Sequence, residues 1–543
     1  MKKSFLILLT FLLLASCEKD YLDINRDPNS PVVAPNNMLL PGVQVELARW
    51  LSIGDGLGSI ATVYTHQGTT REHWNDYGVL GTSFYNQQNW TRLYTKLINV
   101  ETMIAQGEEN DELIYKGVAQ AIKAYTYSVM VDIWGDIPFS QASNIGEYPH
   151  PEFDDDAAIY AQLFTLLDDA IENLEDEESA NILRPGADDL IYNGNVEKWI
   201  RFANTLKLKL YVQVRNTDLY NATEVASLLA GDMLMEDHDD GFMLFFGTGN
   251  EPENRHPGFV QEYAGGQIGL NPSPWFYEIM MGLNPDIFSN IVDPRVPYYF
   301  YNQLLAGEEP QNPAEYVHDS QFGRFVSIWD GSIGPNLGFD QRVSATMLGL
   351  YPVGGRYSDP TDSARPEGRT AAATGAVPQR MLTYVDRLYL EQELLHVDGV
   401  TMDSLTFSTL LEASFDQVDY AIQNAVLEEQ DVPSLNRAEN DAVDSYINSI
   451  LGRYAAANNE KKFEILMTQK WISSAGAPID QYTDIRRTGY PVIHDANTDD
   501  NDLTQRLRNY AVSFPWSNNE LTLNPNAPTQ KDPQTYKIFW DVD

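Results

Sequence analysis

The chain has 543 residues, and its 78 acidic side chains against 36 Lys and Arg give a formal net charge of −42. So negative a chain repels nucleic-acid phosphates and anionic lipid headgroups, which argues against nucleic-acid binding and against electrostatic adhesion to a membrane. A hydrophobic fraction of 43% supports a sizeable core and excludes a disordered acidic tail.

The N-terminus predicts a bacterial lipoprotein signal. A basic pair at 2–3 precedes an apolar run at 5–14, which at about 1.5 Å per residue is too short to span a bilayer as a helix. Residues 14–17 read LASC, which resembles the lipobox, where a diacylglycerol is attached to the cysteine before cleavage in front of it. Cys17 is the only cysteine in the chain. We therefore expect a signal peptide at 1–16 and lipidation of Cys17; an ordinary signal peptide with an incidental cysteine is the alternative.

Helical patterns follow a stretch rich in Pro, Asn and Asp, which predicts an extended tether over 17–37 that leads into a single domain over 38–543. Apolar residues recur at helical spacing in four segments that form two helical hairpins, 86–106 with 111–134 and 159–174 with 199–210. Helical periodicity returns in three later segments, 381–396, 404–427 and 440–471. Hairpins of this size indicate a mainly α, tetratricopeptide-like scaffold over about 38–230 and 381–480.

The pattern changes between about 245 and 380, where Gly and Pro recur every few residues and aromatic and polar residues replace the apolar stripes. A long irregular stretch within a folded protein usually packs on the scaffold and carries function. We therefore expect a loop-rich ligand face there, and a loop-like tail over 497–543. Trp90, Trp199 and Trp471 lie on helical stripes and are expected in the core.

The sequence lacks the signatures of common catalytic centres: HExxH, GxSxG, a Walker loop and GxGxxG are all missing. The acidic turn at 237–241 resembles part of a calcium loop, but its glycine falls fifth and not sixth, and no glutamate occupies position twelve. His66 and His73 have no third ligand at metal spacing. No catalytic residue, metal or cofactor is therefore predicted.

Aromatic residues beside polar ones are the candidates for ligand binding. A sugar offers a flat C–H face for ring stacking and a rim of hydroxyls for amide, guanidinium or carboxylate partners. Three loops carry such candidates: Arg71, His73, Trp74, Asn75 and Tyr77 in the first, Trp275 in the second, and Trp329 with Asp330 in the third. The alternative is that these rings only cover the scaffold.

A set of short segments, in order behind the lipobox, resembles the SusD/RagB family of nutrient-binding outer-membrane lipoproteins of Bacteroidetes-type bacteria. The segments are WGDIPF at 134–139, NVEKWIRFANTLKLKLYVQVRN at 195–216, DPR at 293–295, QKWI at 469–472, DIRRTGYP at 484–491 and FPWSNNELTLNPNA at 514–527. The last has Phe514 where the family has Tyr. The EKD run at 18–20 resembles the signal that sends such lipoproteins to the outer face of the outer membrane.

The resemblance implies a tetratricopeptide-like scaffold that is anchored by lipid at the cell surface. Proteins of this family cover a TonB-dependent transporter of the SusC type and hand it oligosaccharides or, in some members, peptides. Their ligand residues vary with the substrate, so no binding residue is carried over from the family. The predicted function is therefore non-enzymatic capture of glycan oligosaccharides. A lipid-anchored glycoside hydrolase, a peptide-capturing member of the family and a purely structural scaffold are the alternatives.

Overall fold

The computed structural model describes residues 34–54, 56–70, 77–265, 268–309, 323–331, 344–359, 361, 368, 370–397, 399, 402–428, 430–492 and 510–542. Several predicted features lie outside these residues: the signal peptide, Cys17, the tether up to residue 33, and four of the candidate ligand residues, Arg71, His73, Trp74 and Asn75. Within the described part of the chain, no helix combines the length and the apolar character needed to cross a membrane.

The fold is mainly helical, as predicted. The helices are α1 (Asn36–Leu51), α2 (Leu57–Tyr64), α3 (Phe84–Glu109), α4 (Leu113–Trp134), α5 (Asp156–Glu175), α6 (Val196–Gln213), α7 (Ala222–Ala230), α8 (Pro257–Phe259), α9 (Pro274–Met280), α10 (Val296–Tyr299), α11 (Leu350–Val353), α12 (Tyr384–Val397), α13 (Ser404–Ile422), α14 (Asp441–Ala456), α15 (Asn459–Ser473), α16 (Ile479–Thr488) and α17 (Asn518–Leu523). The strands are β1 (Gly68–Thr70), β2 (Phe242–Phe245), β3 (Leu270–Pro272), β4 (Phe300–Tyr301), β5 (Met347–Leu348) and β6 (Pro378–Leu382).

The two hairpins predicted from the apolar stripes are present. Helices α3 and α4 form the first hairpin, α5 and α6 form the second, and α4 also packs against α5. Gly117 allows that close approach, because a Cβ at this position would lie 2.8 Å from the Ala170 carbonyl oxygen. Side chains cap the second pair, since Asp155 accepts from the Ala158 amide at 3.0 Å and Asn195 accepts from the Lys198 amide at 3.1 Å.

Several element boundaries differ from the predictions. Helix α1 begins at Asn36, so the tether is shorter than predicted. The segment 440–471 is two helices, because Asn458 lies between them and its side chain accepts from the Lys461 amide, which starts α15. Helix α13 ends at Ile422, five residues before the predicted end, and the tail contains the short helix α17.

The apolar side chains form two large clusters. One gathers around α1 to α6 together with the C-terminal tail, and the other around α9 to α15. Trp90 and Trp199 lie in the first cluster and Trp471 in the second, which confirms the prediction that these rings are core.

Helices α6 and α12 pack against each other and join the two halves of the scaffold. Glu393 of α12 is fully buried there and forms ion pairs with Arg215 and Arg487, and Lys470 Nζ lies 3.7 Å from it. Asp484 completes the cluster, 2.7 Å from Lys470. A buried carboxylate requires such partners, because its desolvation is otherwise very unfavourable.

The strands form three antiparallel pairs, β1 with β3, β2 with β6 and β4 with β5. The β1–β3 pair is the one that brings together loops of the candidate site. In this pair Gly68 lies opposite Pro272, and Thr70 lies opposite Leu270. This pairing places the loop that precedes the first hairpin beside the loop that leads into α9.

Candidate functional site

The three loops with candidate ligand residues are tied together by short backbone contacts. Next to the β1–β3 pair, the Ser273 amide donates to the Gln67 carbonyl at 3.1 Å. The Ser327 hydroxyl donates to the Pro272 carbonyl at 2.6 Å, so the third loop is held against β3. These contacts bring Trp275 and Asp330 to the end of α2, where His66 lies.

His66 occupies the centre of this junction. Its Nδ1 lies 3.1 Å from an oxygen of Asp330, and its Nε2 is hydrogen-bonded to the Tyr77 hydroxyl. The Ser273 hydroxyl donates to the same Asp330 oxygen at 3.4 Å. All four residues are buried. Because a carboxylate oxygen accepts, the tautomer with its proton on Nδ1 suits this arrangement, and Nε2 then accepts from the Tyr77 hydroxyl.

Trp275 and Trp329 are the two described candidates that keep part of their rings accessible. Trp275 meets the His66 ring edge-on, with centroids 6.5 Å apart, and meets the Trp471 ring at 5.7 Å. Trp329 directly precedes Asp330, and both tryptophans are only partly buried against the second apolar cluster. Rings that are fixed on one side and open on the other are suited to stacking on a sugar.

The position of Tyr77 does not fit its predicted role as a ligand-binding residue. It is only 5% exposed, and its ring meets Tyr64 and Tyr510 edge-on, with centroid distances of 5.3 and 5.2 Å. Its backbone φ of +55° is in the left-handed region, which turns the chain at this point. Burial of its ring does not support ligand stacking by Tyr77. Its hydroxyl positions His66 instead.

From the sequence, His66 is considered only as a candidate metal ligand that lacks a third partner at metal spacing. The structure gives both ring nitrogens protein partners, in agreement with a packing histidine. Trp471 and Gln67 were not recognised as support for the site. Trp471 Nε1 donates to the Thr65 carbonyl at 2.8 Å, and Gln67 Nε2 donates to the Trp471 carbonyl at 2.7 Å.

The acidic clusters are structural. Asp237 accepts from the Asp239 and Asp240 amides and caps a single 3-10 turn, so this stretch is not a calcium loop. Only one other acidic group in the described ranges has metal-like spacing, Asp136 with Asp155 and Asp156. Its oxygens accept backbone amides, including that of Phe539 at 3.0 Å, and burial raises the pKa of Asp156 to about 6.

The motifs behind the family resemblance make framework contacts. Trp516 Nε1 donates to the Asp136 carbonyl at 2.8 Å and so links FPW to WGDIPF. Arg486 of DIRRTGYP donates to the Asp132 carbonyl at 2.7 Å, just before the end of α4. These contacts make WGDIPF and DIRRTGYP part of the framework.

Comparison with known proteins supports the family resemblance. The SusD-like family model described as "Starch-binding associating with outer membrane" matches residues 28–510. A search of curated protein sequences found no match.

Several solved structures share the fold. A SusD/RagB family protein from Bacteroides thetaiotaomicron has a TM-score of 0.68 at 19% identity, covering 94% of this chain and 99% of that chain. A SusD homologue from Bacteroides fragilis has a TM-score of 0.66 at 17% identity, with coverage of 94% and 99%. A chitin-binding SusD homologue from Flavobacterium johnsoniae has a TM-score of 0.61 at 17% identity, with coverage of 93% and 97%.

At these identities the solved structures establish the fold, which is the tetratricopeptide-like helical scaffold predicted from the hairpins. The family model extends over most of the chain, from residue 28 within the predicted tether to Tyr510. This protein therefore belongs to the SusD-like family, which associates with the outer membrane.

Proposed function

We propose that this protein captures glycan oligosaccharides at the cell surface and delivers them to a partner TonB-dependent transporter of the SusC type. The observation that carries the proposal is the junction of the three loops, where partly accessible Trp275 and Trp329 flank the buried polar pair of His66 and Asp330. Stacking surfaces beside fixed polar groups match the chemistry of a sugar ring.

The proposed site contains two groups of residues, those that would contact the ligand and those that would hold the loops in place. Trp275 and Trp329 would stack on the ligand, and Arg71, His73, Trp74 and Asn75 remain proposed ligand residues from the first loop. His66, Tyr77 and Asp330 would hold the loops in register, since their polar atoms face one another and are buried. Under this proposal, the loop residues determine which substrate is bound, and the framework stays the same when they change.

The location follows from the same proposal. Family membership supports association with the outer membrane, and we propose that acyl chains on Cys17 supply the anchor. Two or three chains at about 0.8 kcal/mol per buried methylene bind a membrane stably without help from protein charge. This independence from protein charge is important here, because a chain with a net charge of −42 is repelled by anionic lipid headgroups.

Calorimetric titration of the full-length chain in detergent micelles tests the capture function. Maltoheptaose and chitohexaose are the first probes, because the family model is described as starch-binding and one solved relative as chitin-binding. A peptide mixture tests the peptide-capturing alternative. Binding of one glycan that is lost in Trp275→Ala or Trp329→Ala supports the proposal, and unchanged titrations with both variants favour a structural scaffold.

A glycoside hydrolase would share the anchor, the acidity and the aromatic residues. Chromatography of the glycan after prolonged incubation separates the two functions. Sugar release that is abolished by a single change such as Asp330→Asn, while binding persists, would overturn the capture function. Intact glycan after incubation with a protein that binds it supports the proposal.

A further inference from the structure

A cavity of about 470 Å³ opens between the loop-rich region and the helices that follow it. Its wall includes Tyr277, Tyr298, Tyr357, Pro433 and Leu435. None of His66, Trp275, Trp329 and Asp330 lines it, so it is separate from the site described above. Its volume is in the range of about 300–1,000 Å³ that is usual for small-molecule sites.

The aromatic residues of the wall are held in place by contacts with Phe325 and with one another. Tyr277 stacks on Phe325, with ring centroids 4.0 Å apart and planes 16° from parallel. Tyr298 meets Tyr357 edge-on at 4.9 Å, and its hydroxyl donates to the Pro433 carbonyl. A ligand ring would therefore meet preformed surfaces, which lowers the entropic cost of binding.

Arg324 supplies a positive charge to this cavity. Its guanidinium donates to the carbonyl oxygens of Leu304 at 3.4 Å and Asp359 at 3.0 Å, and to the Ser358 hydroxyl at 3.5 Å. These acceptors are all neutral, and among the residues with described positions no carboxylate lies within ion-pair distance of Arg324. Its Nε–H and one Nη1–H have no partner in that same part of the chain.

The carboxylate of Asp293, which also lines the cavity, does not compete for Arg324. Its oxygens accept from Arg295 Nε at 2.9 Å and Nη2 at 2.6 Å, and Arg295 is fully buried. The Asp359 carboxyl is the acidic group that Arg324 influences, since hydrogen bonds from Thr361 and, after them, the charge of Arg324 lower its pKa, but it lies beyond ion-pair distance of Arg324. The cavity thus combines tyrosine surfaces, a cation without a direct ion pair in the described part of the chain, and the amide side chains of Asn302 and Asn440. Arginine binds carboxylates strongly because its N–H groups are charged and fixed in a plane.

We propose that this cavity binds a hexuronate residue of an acidic glycan, with the sugar carboxylate on Arg324 and the ring against the tyrosines. This inference rests on the proposed function as a glycan-capturing protein and names a substrate class for it. The carboxylate of the sugar provides the discrimination, because a hexuronate can form a direct ion pair with Arg324 and a neutral hexose cannot. The amides of Asn302 and Asn440 are suited to the sugar hydroxyls.

Titration calorimetry of the full-length chain in detergent micelles tests the assignment. The probes are trigalacturonate, triglucuronate, and trigalacturonate with all carboxyls methyl-esterified, which keeps the rings and removes the charge. We expect at least one acid trimer to bind, about tenfold or more tightly than the ester, because a charged hydrogen bond is lost with esterification. Arg324→Gln should remove this difference, and Arg184→Gln, at an exposed arginine outside the cavity, should keep it.

Tyr357→Ala provides a second test, because this ring lines the cavity and is only partly buried. It should weaken the acid trimer about tenfold while the thermal midpoint stays close to that of the wild type. If neither acid trimer binds, or if binding is unchanged in both variants, the inference is overturned.

Two further results separate the inference from the proposed function. Binding of maltoheptaose or chitohexaose through Trp275 and Trp329, without any binding of the acid trimers, overturns only the hexuronate site. Equal, Arg324-dependent binding of N-acetylphenylalanine would show a general carboxylate pocket and overturn the sugar assignment. Failure of every glycan to bind the wild-type chain overturns the proposed function itself.

Discussion

His66 and Asp330 lie 3.1 Å apart, although one follows α2 and the other lies in the loop-rich region far along the chain. The imidazole also holds the Tyr77 hydroxyl through its second nitrogen. One buried side chain thus joins the loop before the first hairpin to the loop that carries Trp329. Because both contacts are out of water, they fix the relative position of the two loops more firmly than exposed contacts would.

We expect His66→Ala to lower the free energy of unfolding by about 3 kcal/mol, because it removes a buried imidazole together with its contacts to the Asp330 carboxylate and the Tyr77 hydroxyl. Tyr77→Phe, which removes only the hydroxyl, should cost about 1 kcal/mol. Urea denaturation measures both changes. Equal losses in the two variants would contradict the central role of the imidazole.

Trp275→Ala and Trp329→Ala should each weaken glycan binding by about three- to tenfold, which corresponds to the loss of one ring contact. Calorimetry with the glycan that binds the wild type measures the effect. Phe84→Ala is a suitable control, since Phe84 is 67% exposed on α3 and lies outside the proposed site. A Phe84 variant that binds as weakly as the tryptophan variants would remove the evidence for specific stacking.

Elements with long residue patterns could be predicted from the sequence, and elements with short patterns could not. The hairpins α3–α4 and α5–α6 were predictable because long one-sided apolar stripes repeat every 3.6 residues. Helix α2 has no such stripe, since all eight of its residues are buried. The junction at His66 depends on β1 and β3, which have three residues each and carry too little pattern to be recognised. Burial of Tyr77 likewise results from distant partners such as Tyr510.

Glu393→Gln tests the buried charge cluster between the two halves of the scaffold. The change leaves Arg215 without its carboxylate partner in a dry environment and leaves Arg487 with Asp484 alone, so we expect a loss of about 3–5 kcal/mol in the free energy of unfolding. Glu412→Gln is the matched control, because Glu412 pairs with Arg437 at a more exposed position, where an ion pair contributes about 1 kcal/mol or less. Guanidinium denaturation compares them, and a similar small loss in both would contradict the structural role of the cluster.

Cys17→Ser tests the proposed anchor. The variant has no thiol for acylation, so we expect it to remain unprocessed and to incorporate no labelled palmitate, whereas the wild type becomes labelled and sediments with outer membranes. Ser16→Ala leaves the thiol in place and should behave as the wild type does. Labelling of the Cys17→Ser variant would exclude Cys17 as the lipidated residue, since the chain has no other cysteine.

Asp132 should make stability depend on pH in an unusual direction. It accepts from Gln213 Nε2 at 2.9 Å and Trp540 Nε1 at 3.0 Å, and its burial, partly opposed by Lys209, raises its pKa from 3.8 to about 6. The folded state therefore binds a proton more tightly than the unfolded state, so this group stabilises the fold below about pH 4. That stabilisation, about 3 kcal/mol, is lost as pH rises towards 6. Asp132→Asn cannot titrate, so the difference in unfolding free energy between wild type and variant should change by this amount between pH 4 and 6.5. Denaturation at a series of pH values measures this difference, and a constant value across the window would show that Asp132 titrates normally.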